Sequence, residues 1–84
     1  MILHTINKAS ALEKCSAIIQ PGDAVLLLED GVYLGMEQQA FEPLVLADDA
    51  EARGIQHRLI SSKLVSFTEF VDLTARADKV CAWY

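Results

Sequence analysis

Cysteine, proline and positive charge are all scarce in this chain. Its 84 residues hold two cysteines, two prolines, four glycines and one tryptophan. Cys15 and Cys81 stand 66 positions apart and form no CxxC pair. His4 and His57 are also distant from each other, so no metal-ligand spacing arises and no metal or other cofactor is expected. A disulfide scaffold is not expected either, because 52% hydrophobic residues can build a core without one. Only seven Lys and Arg oppose twelve Asp and Glu, and the basic residues are scattered. The net charge of −5 offers no basic stripe to neutralise phosphates, so direct nucleic-acid binding is excluded as an expectation. Long apolar runs are missing as well. The longest, Ala24 to Leu28, has five residues against the ~20 a bilayer-crossing helix needs. No basic start leads into an apolar stretch, so no signal peptide is read and the cytoplasm is the expected compartment.

What is present is apolar surface. Scaling for 9.2 kDa predicts roughly 4,900 Å² exposed after folding, against about 13,300 Å² for the extended chain. About 63% is then buried, enough for one small domain with little to spare. So high an apolar fraction on so small a body points to a partner.

Strand and helix signals alternate. Ile2 to Ile6 is apolar and β-branched and reads as a strand. Ser10 and Glu13 fit a capping box. The helix they would open carries Ala11, Leu12, Cys15, Ile18 and Ile19 on one stripe. Gln20-Pro21-Gly22 ends it. Ala24 to Leu28 reads as a strand buried on both faces. Val32 to Gln39 suggests a helical turn or two, and Leu44 to Ala47 a third strand. Asp48 can cap a short helix that stops at Gly54. Lys63 to Phe67 reads as a fourth strand. Ser66 and Glu69 form a second capping box, whose helix has Phe67, Phe70, Val71 and Thr74 on one side. Val80 to Tyr84 is a last short strand. This order predicts an α/β three-layer sandwich with a mainly parallel sheet of four to five strands, Rossmann-like in plan. The weak point is the second crossover, where only 14 residues separate Glu29 from Leu44.

In such sheets ligands sit at the carboxyl ends of the strands. Those ends carry Asn7, Lys8, Glu29, Asp30, Asp48, Asp49, Thr68 and Glu69. Five carboxylates face one lysine, which disfavours an anionic nucleotide. Paired carboxylates could do acid–base chemistry, but helix capping and turn formation explain them more simply. Cys15 is the candidate catalytic thiol, as a persulfide site. The plainer reading is a packed cysteine on an apolar stripe. Cys81 is the lesser candidate. His4, Trp83 and Tyr84 are interface candidates, because Tyr and Trp are enriched at interfaces and a terminal strand invites pairing. His4 also reads as a partly buried histidine bonded to a carbonyl or carboxylate.

Five segments carry a resemblance. They are Ile2-Leu3-His4-Thr5-Ile6-Asn7-Lys8, Gly22 through Val32, Ala52-Arg53-Gly54, Phe67 through Thr74, and Ala82-Trp83. In this order, over nearly the whole chain, they resemble the DsrH/TusB family. The resemblance implies a DsrE-like parallel α/β fold in a single domain, 1–84, shortened after Lys8 and after Met36. The second loss removes most of a helix the family usually has. The resemblance also implies an accessory subunit of a cytoplasmic sulfur-relay complex. In that complex TusB works with TusC and TusD, and persulfide sulfur passes to TusE for 2-thiolation of the wobble uridine of certain tRNAs. DsrH occupies the matching place with DsrE and DsrF in sulfur oxidation. The sulfur-carrying cysteine of both complexes lies on the TusD/DsrE subunit, although some DsrH members have a cysteine in the first helix, which Cys15 matches. The expected partners are TusC/DsrF-like and TusD/DsrE-like subunits, with self-association as a further possibility. Two other functions stay open: a persulfide-carrying sulfurtransferase component using Cys15, and a small homo-oligomeric interaction protein.

Overall fold

Strand and helix alternate from Ile2 onward, as the apolar periodicity dictates. The computed structural model describes residues 1–84. β1 (Ile2–Ile6) leads to α1 (Ala9–Cys15) and β2 (Ala24–Leu27), and a 3-10 helix (Glu29–Met36) connects to β3 (Leu44–Leu46). α2 (Ala47–Ala52), β4 (Lys63–Val65), α3 (Phe67–Arg76) and β5 (Lys79–Trp83) complete the chain. The strands form one five-stranded sheet in the order β4-β3-β2-β1-β5, every pair parallel. The expected parallel α/β architecture is therefore the observed one.

The order explains the layers. Three crossovers step from β1 toward β4, and the fourth runs back across the sheet to set β5 beside β1. Right-handed crossovers that travel in opposite directions place their helices on opposite faces. One face accordingly holds Ile6, Val25, Leu27 and Val45 packed with Ala11 and Cys15 of α1, Val32 of the 3-10 helix and Ala50 of α2. The other holds Leu3, Leu26 and Val65 under Phe70 and Leu73 of α3 and Ala77 at its C-cap. Total exposed surface is 4883 Å², as the mass predicts.

Local signals fared unevenly. The Ser66–Glu69 capping box forms in both directions: Glu69 N–H donates to Ser66 Oγ at 3.1 Å, and Ser66 N–H donates to Glu69 Oε1 at 2.9 Å. The Ser10–Glu13 box does not form. α1 begins at Ala9, so Ser10 lies inside its first turn, and the N-cap is Lys8 with no side-chain bond. Asp48 does not cap α2, because β3 runs directly into that helix and leaves Leu46 at the N-cap. The short second crossover is filled by the tighter 3-10 helix, which rises further per residue than an α-helix. It lies against β1 so closely that a Cβ on Gly31 would sit 2.1 Å from the Ile6 carbonyl oxygen. Only glycine fits there.

Candidate functional site

The carboxyl ends of the strands are closed by the chain itself. Asp49 of α2 accepts a hydrogen bond from Glu29 N–H at 2.5 Å. Arg53 binds Asp30 through Nε at 3.0 Å and donates through a second nitrogen to Asp49 O at 3.2 Å. Asp30 raises the Arg53 pKa further, chiefly through that hydrogen bond. Glu29 holds φ +50°, a left-handed conformation, to begin the 3-10 helix. These carboxylates thus tie α2 to the start of the 3-10 helix and do not converge on an open site. At the switch point between β1 and β5, Asn7 Oδ1 is buried without a partner. No hollow of the molecule opens there. The largest, about 520 Å³, is a shallow one lined by Gln38, Gln39, Ala40, Phe41, Glu42 and Ser61.

Polar chemistry gathers instead beneath α1. His4 is central in β1 and fully buried. Its Nε2 lies 3.0 Å from Asp23 Oδ2. Its Nδ1 receives the indole N–H of Trp83 at 3.1 Å. Trp83 pairs in register with Ile6 and Cys81 with His4, so Trp83 reaches His4 along the diagonal of the β1–β5 ladder. The rings lie near-parallel, 25° apart, with centroids 6.3 Å apart. An indole nitrogen only donates, so Nδ1 must accept and the imidazole proton must be on Nε2, facing Asp23. The His4 ring is therefore neutral in this arrangement.

Asp23 precedes β2 and accepts three hydrogen bonds. They come from Ile2 N–H at 3.1 Å, Gln20 N–H at 3.0 Å and His4 Nε2. The His4 bond, then the two backbone bonds, hold its pKa at about 2. Asp, His and Trp thus form a line, but its end is an indole where a hydrolase would place a hydroxyl or thiol nucleophile. With His4 sealed from solvent, the line fastens β1, β2 and β5 together and has no access to a substrate.

Cys15 is also fully buried, and its thiol donates to Leu12 O at 3.6 Å. Burial pushes that thiol up, away from the thiolate a persulfide carrier needs. Cys81 is half-buried on β5. Of the interface candidates, His4 belongs to the interior, Trp83 is half-buried, and Tyr84 is exposed at the end of β5. Lys14 of α1 donates to the Tyr84 carbonyl at 2.9 Å. Asp23 and Arg53 are the organising residues that the linear reading missed. For Asp23 the available signal was an acid placed directly before a fully apolar strand, with a histidine inside the neighbouring strand. No group of His, Cys, Asp and Glu is arranged to hold a metal ion, and no helix is long and apolar enough to cross a membrane.

The fold and interior therefore define a small all-parallel α/β protein with a buried Asp23–His4–Trp83 cluster that links β1, β5 and the residue before β2. Comparison with known proteins places it. A family model described as "DsrH like protein" matches residues 6–80, and the chain belongs to the DsrH family. It is 33% identical over 95 residues to Protein TusB of Salmonella arizonae, covering 98% of this chain and 100% of that one. It is 32% identical over 76 residues to Protein TusB of Cronobacter sakazakii, covering 79% and 80%. Among solved structures it is similar to Tm0979 from Thermotoga maritima, determined by solution NMR. The TM-score is 0.72 at 22% identity, covering 89% of this chain and 92% of that chain, a likeness of fold.

Proposed function

We propose that this chain is an accessory subunit of a cytoplasmic sulfur relay, serving 2-thiolation of the tRNA wobble uridine, and that it does not carry the sulfur itself. The observation that carries the second half is Cys15: fully buried, bonded to its own helix, with its thiol held toward the protonated form. Persulfide passes by attack of an accessible thiolate on the outer sulfur of a donor. Cys15 presents neither access nor charge. Membership in the DsrH family and likeness to proteins named TusB support the relay itself. The acidic balance suits a subunit that leaves RNA to others. TusC/DsrF-like and TusD/DsrE-like subunits are the partners proposed.

The test has two readouts. Co-expression with TusC- and TusD-like chains should yield a complex that survives size-exclusion chromatography. Mass spectrometry after incubation with a cysteine desulfurase and cysteine should show no added sulfur on Cys15. A chain that ignores both partners overturns the relay role. A sulfur adduct on Cys15 or Cys81 makes the chain a carrier and overturns the accessory one.

A further inference from the structure

Both edges of the sheet are open, and they are not alike. β4 has three residues, begins with the exposed Lys63, and follows a kink at Ser61, whose φ is +49°. Short length and a lysine are common protections of an edge. β5 has five residues and pairs with β1 along its whole length. It contains no proline, and its only charge is Lys79 at its start. It is also anchored, to β1 by the Trp83–His4 bond and to α1 by Lys14 at the Tyr84 carbonyl.

The ladder fixes which backbone groups of β5 remain free. Asn7 N–H donates to Trp83 O. In a parallel pair the residues bonded to the neighbour alternate. Trp83 and Cys81 therefore turn their backbone groups to β1, and Val80 and Ala82 turn theirs outward, while at the start of the ladder Asp78 N–H donates to Met1 O. The apolar surface on the α3 side continues this edge. Glu69, Asp72 and Arg76 line a hollow with β3 and β4, so that flank of α3 faces β4. Phe67 and Val71 lie on the opposite flank, toward β1 and β5, and are 58% and 50% exposed. Val80, paired with Leu3 on the same face of the sheet, is 44% exposed.

We propose that β5 pairs antiparallel with β5 of a second copy of this chain, about a two-fold axis at Cys81. The outward groups permit this register. Val80 of one copy exchanges two hydrogen bonds with Ala82 of the other, and the reverse, giving four bonds. Cys81 then faces Cys81 in the non-hydrogen-bonded position, where Cα atoms approach to about 4.5 Å. Lys79 faces Trp83, a cation beside an indole, and never Lys79. No like charges oppose each other within the paired strands, so the segment is self-complementary, as a two-fold contact requires. On the α3 side Val80 and Ala82 of both copies join the Phe67 and Val71 flanks into one apolar floor. This assembly does not rest on the partners proposed above. It is read from the edge alone.

Sedimentation velocity over a concentration series, with Val80→Pro as the variant, tests it. Proline at 80 removes an outward N–H and no bond to β1, as edge strands tolerate. The wild type should approach twice the 9.2 kDa chain mass as concentration rises. The variant should remain a monomer with an unchanged circular dichroism spectrum. A second measurement does not depend on that variant folding. In Cys15→Ser protein, copper(II)-phenanthroline should take two electrons from two Cys81 thiols, which release two protons and join as one disulfide. The covalent dimer should vanish when Cys81 is also replaced by Ser. The geometry permits the bond, since disulfides span Cα separations of about 4.4–6.8 Å. A monomer at every concentration overturns the proposal, and so does a dimer indifferent to Val80→Pro. Binding at β5 by a different subunit only, with no self-association, overturns it equally, as does a dimer whose Cys81 thiols never cross-link.

Discussion

The indole N–H of Trp83 donates to Nδ1 of His4, and through that one bond the last strand dictates the protonation state of the first. Removing the donor while keeping an aromatic ring tests this. Trp83→Phe leaves a buried nitrogen without its partner, which costs about 1–3 kcal/mol of stability. Urea denaturation followed by circular dichroism reads the loss. In wild-type protein, nitrogen-15 NMR of the imidazole should show the proton on Nε2 and a bare Nδ1 near neutral pH. A proton found on Nδ1 would refute the assignment.

Asp23 makes the same cluster sensitive to acid. Its folded pKa of about 2 lies below its ordinary 3.8, so folding favours the carboxylate. The contribution is complete above about pH 4 and is lost as pH falls through about 2. The midpoint of urea denaturation should therefore drop across that window. Asp23→Asn should lower the midpoint at neutral pH and flatten the drop. Some slope must persist, because Asp78, bound to the N-terminal ammonium, and Glu69, bound to Ser66, are lowered in the same direction. A drop as steep in Asp23→Asn as in wild type would remove Asp23 from this account.

The two cysteines should separate cleanly by reactivity. A maleimide added to native protein should label Cys81 first. Cys15 should react more slowly by on the order of 100-fold or more, because it must wait for an opening of the structure. Intact-mass and peptide analysis over time reads both rates. Equal rates would contradict the packing of α1 described above.

Gly31→Ala tests the close approach of the 3-10 helix to β1. Overpacking usually costs about 1–3 kcal/mol, and the contact here is with backbone, which cannot rotate away. The loss should reach or exceed the top of that range. Ser66→Ala, by contrast, should cost about 0.5–2 kcal/mol, the usual worth of an N-cap. If the two substitutions proved equally mild by urea denaturation, the 3-10 helix would not be seated where it is described.

Elements bounded by strong local chemistry could be read in the linear chain. β1 and β2 were legible because Ile2–Ile6 and Ala24–Leu27 are apolar runs with turn residues beside them. The start of α3 was legible because both halves of its capping box lie within four residues. The failures at Ser10 and Asp48 share one cause. A side-chain cap works at a single position, and tertiary packing moved each helix start by a residue or more. The polar cluster was half legible: a carbonyl or carboxylate partner for His4 is anticipated, but neither which of the two nor which residue. Asp23 lies 19 residues from His4, and Trp83 lies 79 away, so only the sheet order reveals their meeting. The family resemblance spans those distances, because it carries a fold, and the fold brings distant residues together.

The placing of β1 between β2 and β5 sets a schedule for folding. β1 is synthesised before the other four strands of the sheet, yet its β5 side has no neighbour until residues 79–83 exist. Until then His4 lacks the Trp83 donor, and an apolar strand presents a bare edge to whatever is near. The β1–β5 pairing joins residues 2–6 to residues 79–83, the kind of distant contact that slows folding. A ribosome-bound nascent chain ending before Lys79 should therefore be open to misassociation, and docking of β5 should be the step that ends this exposure.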